Sequence, residues 1–121
     1  MRMLIAEDDY VSRIYLYKVL TPYGSCDMTK DGIETIDVFF KALNEDKAYD
    51  LILLDIMMPR IDGLRILKEI RNIENKRKVK KSKIVMVSAL NDCTVSLEAE
   101  KLGCDVFLNK PIERTSLLNI I

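Results

Sequence analysis

The stretch Leu51-Ile52-Leu53-Leu54-Asp55 decides the fold of this 121-residue chain. Its four apolar residues are uninterrupted, which is the pattern of a short strand buried on both faces of a parallel sheet. Asp55 then stands at the carboxyl end of that strand. Open α/β sheets carry their binding and reactive groups at this edge, so Asp55 is the first candidate for a functional residue.

Three other apolar runs also end in polar residues. Met3–Ala6 leads into Glu7-Asp8-Asp9, Ile84–Val87 leads into Ser88, and Val106–Leu108 leads into Asn109-Lys110-Pro111. If all four runs are parallel strands, their polar ends meet at the sheet edge that carries Asp55. The sequence therefore predicts a site that combines carboxylates, a hydroxyl group and an ammonium group.

The carboxylates of this site indicate a bound magnesium ion. The chain contains no histidine, and no cysteine lies beside Glu7, Asp8, Asp9 or Asp55, so the predicted ligands are all oxygen atoms. Oxygen ligands favour Mg²⁺ over zinc or copper. A lysine and a serine close by could contact the oxygens of a phosphoryl group. Together these groups are suited to accepting a phosphoryl group on Asp55.

Apolar residues at helical spacing predict helices between the strands, each with its apolar face toward the sheet. The predicted faces are Leu16, Val19, Leu20 and Tyr23, then Ile36, Phe39, Phe40 and Leu43, then Ile66, Ile70 and Ile73. A fourth helix is predicted from about Asp92 to Leu102, before Gly103, and a fifth from near Glu113. Asp9 and Asp92 are predicted N-caps, and a weakly marked second strand is predicted around Ser25 to Thr29. This alternation predicts an α/β fold with a five-stranded, doubly wound parallel sheet in the order 2-1-3-4-5.

At these positions the chain resembles the receiver domain of two-component response regulators, over essentially all of residues 1–121. The shared motifs are Glu7-Asp8-Asp9, Asp55 to Pro59 followed by Asp62-Gly63, Ser88-Ala89 and Lys110-Pro111. Each motif alone is a weak signal, whereas all of them in order and at the family's spacing are specific. The resemblance implies one response regulatory domain with a flavodoxin-like receiver fold and helices on both faces of the sheet.

The resemblance also implies roles for individual residues. Asp55 would be the phosphoacceptor, and Ser88 and Lys110 would contact the phosphoryl group. The implied holders of Mg²⁺ are Asp8, Asp9, Asp55 and the backbone carbonyl of Met57. Ser88 and Phe107 would form the switch, in which the aromatic ring turns inward as the hydroxyl moves. The family also implies a cis peptide bond between Lys110 and Pro111.

The implied function is a phosphorylation switch in a phosphorelay, which catalyses only its own phosphorylation and dephosphorylation. A histidine kinase or histidine phosphotransfer domain would donate the phosphoryl group, since the chain has no histidine of its own. Phosphorylation would alter the surface of helix 4, strand 5 and helix 5, including Leu90, Asn91, Val95 and Lys110. A downstream effector protein, a fused output domain or a second copy in a phosphorylation-dependent homodimer would read that surface.

Two alternative functions stay open. A receiver-like module could bind proteins without using phosphate, although the acidic residues and Lys110 argue against this. A magnesium-dependent phosphohydrolase with an aspartyl nucleophile is the other alternative. Such enzymes commonly carry a second aspartate two residues after the nucleophile, where this chain has Met57, and the chain lacks room for a cap domain.

Composition points away from nucleic acid and membrane as direct partners. The 19 basic residues balance the 19 acidic ones, and no apolar stretch reaches the length of a bilayer span. A cytoplasmic location is therefore expected, with the three cysteines reduced. The segment Lys76–Lys83 has six basic residues among eight and is predicted to be a loop opposite the acidic site. A solvated surface is favoured there over a docking site for an acidic partner or nucleic acid.

Overall fold

Strands and helices alternate along the chain in the computed structural model, which describes residues 1–89 and 93–121, apart from the side chain of Cys93. The strands are β1 (Arg2–Ala6), β2 (Ser25–Thr29), β3 (Leu51–Asp55), β4 (Lys83–Ser88) and β5 (Val106–Asn109). The helices are α1 (Tyr10–Leu20), α2 (Gly32–Asn44), α3 (Gly63–Arg77), α4 (Cys93–Lys101) and α5 (Arg114–Ile120). A short 3-10 turn at Thr21–Tyr23 follows α1.

The five strands form one parallel sheet in the order β2-β1-β3-β4-β5, which confirms the predicted fold class. β3 is the central strand, and all five of its residues are buried. Ile52 in this strand pairs with Leu4 of β1 and with Ile84 of β4. Because the strands are in register, the residues that follow them lie at the same edge of the sheet.

Alternate residues of the strands enter two separate hydrophobic cores, one on each face of the sheet. On one face, Ile52 belongs to a cluster with Phe39 of α2 and Ile70 of α3. On the other face, Leu53 belongs to a cluster with Leu16 of α1 and with residues of α5. Each of these buried apolar side chains stabilises the fold by about 1.5–3 kcal/mol relative to an exposed position.

Two of the residues predicted to face the sheet do not do so. Tyr23 is 46% exposed, because α1 ends at Leu20 and the 3-10 turn carries Tyr23 away from the core. Phe40 is 45% exposed, and the guanidinium of Arg77 lies 5.5 Å from the centre of its ring. Neighbouring residues of a helix point about 100° apart, so Phe39 fills the core and Phe40 turns outward.

The predicted fourth helix is present, but its proposed start lies outside the described residues. α4 runs from Cys93 to Lys101, and Gly103 follows with a φ of 104°. This left-handed conformation favours glycine and is a common way to end a helix. The N-cap prediction for Asp92 and the surface roles of Leu90 and Asn91 fall in the undescribed segment.

The basic segment Lys76–Lys83 is only partly a loop, which corrects the prediction. Lys76 and Arg77 form the last turn of α3, and Lys78 caps the helix with a φ of 52°. Basic residues suit this position because the carbonyl end of a helix is partly negative. At the other end of the segment, Lys83 begins β4, so the segment lies at the sheet edge opposite Asp55.

Arg71 of α3 holds this opposite edge together. Its guanidinium donates hydrogen bonds to the Gly103 carbonyl, Glu74, the Ser82 carbonyl and Asp105, at distances of 2.7–3.0 Å. Two of the five bonds go to Gly103, so all five N–H donors of the side chain are used. Arg71 and Glu74 are buried, and the network joins α3, the start of β4 and the turn between α4 and β5.

Two observations bear on the predictions from composition. Within the described residues, no helix is long and apolar enough to cross a membrane. Cys26 and Cys104 are free thiols, and burial raises the pKa of each above its usual value.

Replacing Gly63 with alanine is expected to destabilise the protein. A Cβ atom at this position would lie 2.4 Å from the Asp55 carbonyl oxygen and 2.6 Å from the Ile56 Cα. The backbone must shift to relieve these contacts, so we expect a loss of about 1–3 kcal/mol in the free energy of unfolding. Denaturant unfolding measures this loss. Lys68→Ala, at an exposed site on the same helix, is the control, and equal stability of the two variants would contradict the prediction.

Candidate functional site

The ends of four strands bring the predicted site residues together. Asp55 is the last residue of β3 and is only 3% exposed, while Ser88 is the last residue of β4 and is fully buried. Glu7 and Lys110 directly follow β1 and β5. The backbone N–H of Lys110 donates to the carbonyl of Ser88 at 2.7 Å, which joins these two strand ends.

The ammonium group of Lys110 links two carboxylates that are distant in sequence. Its Nζ lies 2.9 Å from Oδ2 of Asp55 and 2.6 Å from Oε1 of Glu7. Burial alone would lower the pKa of Lys110, but its hydrogen bonds to Glu7 and Asp55 outweigh that effect and raise the pKa. The lysine is therefore held in its charged form between two acidic groups.

Three carboxylates form a cluster that fits a small divalent cation. Glu7, Asp8 and Asp55 each offer an oxygen within 4.8 Å of the others, with Glu7 and Asp55 buried and Asp8 exposed. Burial, assisted by the neighbouring Asp55, raises the pKa of Glu7 to about 8, against the opposing effect of Lys110. One ammonium thus does not offset all of the negative charge. Hard oxygen ligands with an open side toward solvent match the preference of Mg²⁺.

Asp9, the other predicted magnesium ligand after β1, lies outside this cluster of carboxylates. Its carboxylate accepts a hydrogen bond from the backbone N–H of Ser12 at 2.9 Å and caps α1, as the N-cap prediction stated. Hydrogen bonds from Ser12 lower the pKa of Asp9. Glu7 was not among the magnesium ligands that the family resemblance implied. The register of the strands explains its place: Ala6 pairs with Leu54, so the next residues along the two strands, Glu7 and Asp55, lie side by side.

Both oxygens of the Asp55 carboxylate have partners. The backbone N–H of Met57 donates to Oδ1 at 3.0 Å, and Lys110 donates to Oδ2. The side chain of Met57 is 60% exposed. Asp8, Asp55, Met57, Ala89 and Lys110 line a cavity of about 440 Å³ at this edge. The carboxylate is therefore fixed at the wall of an open cavity.

Close backbone contacts position the segment that carries Met57. The N–H of Gly63 donates to the carbonyl of Ile56 at 2.8 Å, and the N–H of Gly32 donates to the carbonyl of Pro59 at 3.1 Å. The carboxylate of Asp62 accepts from the N–H of Arg65 and caps α3. The loop after β3 is thus anchored to the first turns of both α2 and α3.

The two predicted switch residues lie on the same face of the sheet. Phe107 of β5 pairs with Met86, which is two residues before Ser88 in β4. Phe107 is partly buried against the core that contains Met86, and it lines a small cavity of about 180 Å³. The peptide bond between Lys110 and Pro111 is cis, as predicted.

Comparisons with known proteins identify relatives over nearly the whole chain. The chain is 30% identical over 121 residues to the peroxide stress-activated histidine kinase mak3 of Schizosaccharomyces pombe, covering 99% of this chain and 5% of that kinase. The chain spans from 3% to 49% of the length of eight curated relatives that it matches.

Solved structures share the fold over nearly the whole chain. The CheX-CheY-BeF3-Mg complex from Borrelia burgdorferi matches with a TM-score of 0.80 and 28% identity, covering 98% of this chain and 84% of that one. The complex of the histidine phosphotransfer protein Ypd1 with the Ssk1 receiver domain of Saccharomyces cerevisiae matches with a TM-score of 0.86 and 24% identity, covering 100% and 86%. The family model of the response regulator receiver domain matches residues 3–121. The chain therefore belongs to the response regulator receiver domain family of two-component signalling.

Proposed function

We propose that Asp55 of this receiver domain accepts a phosphoryl group from a phosphohistidine on a partner protein, with Mg²⁺ bound beside it. The observation that carries the proposal is the fixed carboxylate of Asp55, held by the Met57 N–H at 3.0 Å and by the Lys110 ammonium at 2.9 Å. Phosphoryl transfer depends mainly on positioning and on charge stabilisation. A nucleophile that is already oriented at the wall of an open cavity meets the first requirement.

In the proposed step, one carboxylate oxygen of Asp55 attacks phosphorus. The phosphorus–nitrogen bond breaks, and the imidazole of the partner leaves with the bonding electron pair. Lys110 has three N–H donors, so it can contact a phosphoryl oxygen while it keeps its hydrogen bond to Glu7. When bound, Mg²⁺ supplies positive charge that offsets the negative charge of the phosphoryl oxygens and the carboxylates.

The proposed holders of Mg²⁺ are Glu7, Asp8, Asp55 and the backbone carbonyl of Met57. Glu7 replaces Asp9 in this set because Glu7 lies in the carboxylate cluster, whereas the Asp9 carboxylate caps α1.

The signal is proposed to leave through the surface of α4, β5 and α5. The Ser88 hydroxyl would contact the phosphoryl group, and Phe107, on the same face of the sheet as Met86 and Ser88, would repack when Ser88 moves. Phosphorylation would then shift the population between two packings of this surface. A downstream effector protein, an attached output domain or a second copy of the domain would bind the phosphorylated form.

The donor is proposed to dock on α1 beside the site. Tyr10 and Val11 are 66% and 73% exposed, although both are large hydrophobic residues. Val11 and Tyr15 line an apolar groove of about 610 Å³ whose other wall includes Lys110 and Pro111. Because Lys110 belongs to the groove and to the phosphoacceptor site, a histidine kinase or histidine phosphotransfer domain seated there would lie beside Asp55.

Asp55→Asn is expected to abolish phosphorylation. Incubation of the native chain with acetyl phosphate and Mg²⁺ should add the mass of one phosphoryl group. The variant should gain no such mass, because its amide lacks the carboxylate oxygen that attacks phosphorus. Intact-mass spectrometry measures the adduct. Asp37→Asn, an exposed residue of α2, is the control and should be labelled like the native chain. Failure to label the native chain would favour a receiver-like module that does not use phosphate.

Glu7→Gln is expected to weaken Mg²⁺ binding by at least about tenfold, whereas Asp9→Asn should change it by less than about twofold. Bound cation requires ionised Glu7, whose pKa is raised to about 8. The Mg²⁺ affinity of the native chain should therefore increase from about pH 6 to about pH 8 and then level off. Titration calorimetry measures both effects. Equal losses in the two variants, or a flat pH profile, would contradict this ligand set.

Val11→Asp is expected to slow phosphorylation by a protein donor without slowing phosphorylation by acetyl phosphate. A charge in the apolar groove disfavours docking, while the small donor needs no groove. The measurement compares transfer rates from a phosphorylated histidine phosphotransfer protein and from acetyl phosphate. Leu97→Asp, at a residue of α4 that is 57% exposed, is the control. A rate with acetyl phosphate that falls equally would show damage to the site itself.

A further inference from the structure

A second cavity lies at the sheet edge opposite Asp55 and has a basic rim. Its volume is about 460 Å³, and we call it the basic pocket. The lining includes Arg71 and Asn75 of α3, Lys81 and Lys83 around the start of β4, and Lys101 and Asp105 around the turn after α4. Three elements thus contribute to one concave surface that the phosphorylation chemistry does not use.

The polar groups in the wall of this pocket form hydrogen bonds within the fold. Arg71 uses all of its N–H donors within the fold, as described above. Oδ2 of Asp105 accepts from Arg71 and from the N–H of Ile84. Arg71 therefore shapes the pocket, and the side chains available to a ligand are those on its rim.

The rim carries positive charge that the described part of the chain does not neutralise. Lys81 and Lys101 are exposed, and neither side chain makes an ion pair or hydrogen bond with residues 1–89 or 93–121. Within the described residues, the ammonium group of Lys83 donates only to the backbone carbonyl of Ile120, at 2.9 Å. The whole chain has a net charge of zero, so this positive charge is concentrated locally and attracts an anionic partner.

The chemistry of the rim favours acidic polypeptide over nucleic acid. The exposed cations are lysines, which act as mobile point charges, and not arginines with a bidentate fork for phosphate. Among the described residues that line the pocket, none is aromatic, so a nucleobase would find no stacking partner. Oδ1 of Asp105, whose side chain is 46% exposed, can accept a hydrogen bond from a peptide N–H, whereas a phosphodiester offers no such donor.

We propose that the basic pocket docks an Asp/Glu-rich segment of a partner polypeptide. Its carboxylates would pair with Lys81, Lys83 and Lys101, and its backbone N–H groups would donate to Asp105. The half-buried Leu102 also lines the pocket and offers a contact for an apolar side chain between the acidic ones. Because this edge is opposite Asp55, the segment binds whether or not the phosphoacceptor is intact.

The test measures fluorescence anisotropy of a fluorescein-labelled Glu-Leu repeat peptide titrated with the full chain at low and at physiological salt. A DNA duplex and phosphatidylserine vesicles serve as the other polyanions. Lys81→Glu/Lys101→Glu should weaken peptide binding by at least about tenfold, and Lys81→Gln/Lys101→Gln should weaken it less. The control, Lys18→Glu/Lys68→Glu, makes the same charge change at exposed sites outside the pocket and should alter binding by less than about twofold. Asp55→Asn should bind like the native chain.

Three results would overturn the proposal. The first is no peptide binding by the native chain, and the second is equal weakening in the pocket and control variants, which would indicate attraction by overall charge. The third is tighter binding of the duplex or the vesicles through the same lysines, which would assign the pocket to a different class of polyanion. If circular dichroism shows that the Lys81→Glu/Lys101→Glu variant is unfolded, the Lys81→Gln/Lys101→Gln variant takes its place in the comparison.

Discussion

The ammonium of Lys110 between the carboxylates of Glu7 and Asp55 is the interaction on which the site depends. Burial and the neighbouring Asp55 carboxylate both disfavour the charged form of Glu7. One lysine offsets part of this cost, at 2.6 Å and 2.9 Å. The pKa of Glu7 remains raised because the lysine offsets this cost only in part. Binding of a further cation at the site is therefore favoured.

This arrangement persists because the sheet holds the three groups in place. Glu7, Asp55 and Lys110 come from the ends of separate strands, and the strands are joined by backbone hydrogen bonds along their whole length. Two hydrophobic cores pack against opposite faces of the sheet. The repulsion within the site is small compared with the burial that fixes the strands. The same rigidity keeps the Asp55 carboxylate in one orientation at the cavity wall.

The strong periodic signals in the sequence predicted most of this architecture. Uninterrupted apolar runs located β1, β3, β4 and β5, and the predicted bounds of β2 agree with Ser25–Thr29. The errors came from features that sequence spacing does not encode. Whether Phe39 or Phe40 faces the core depends on the rotation of α2 about its axis. Likewise, whether Glu7 or Asp9 joins the cluster depends on the register of β1 against β3, which places Ala6 opposite Leu54.

The Arg71 network has a mechanical consequence for α4. The guanidinium ties the Gly103 carbonyl and Asp105, immediately beyond this helix, to α3 and β4. The far end of α4 is thereby a fixed point, whereas its first residue, Cys93, lies five positions after Ser88 in the chain. The nine residues of α4 span about 13 Å, so a tilt of about ten degrees around the fixed end moves the near end by roughly 2 Å. Because the Arg71 network anchors one end of α4, a small rotation of the helix about that end would be amplified into a larger displacement of its first turn.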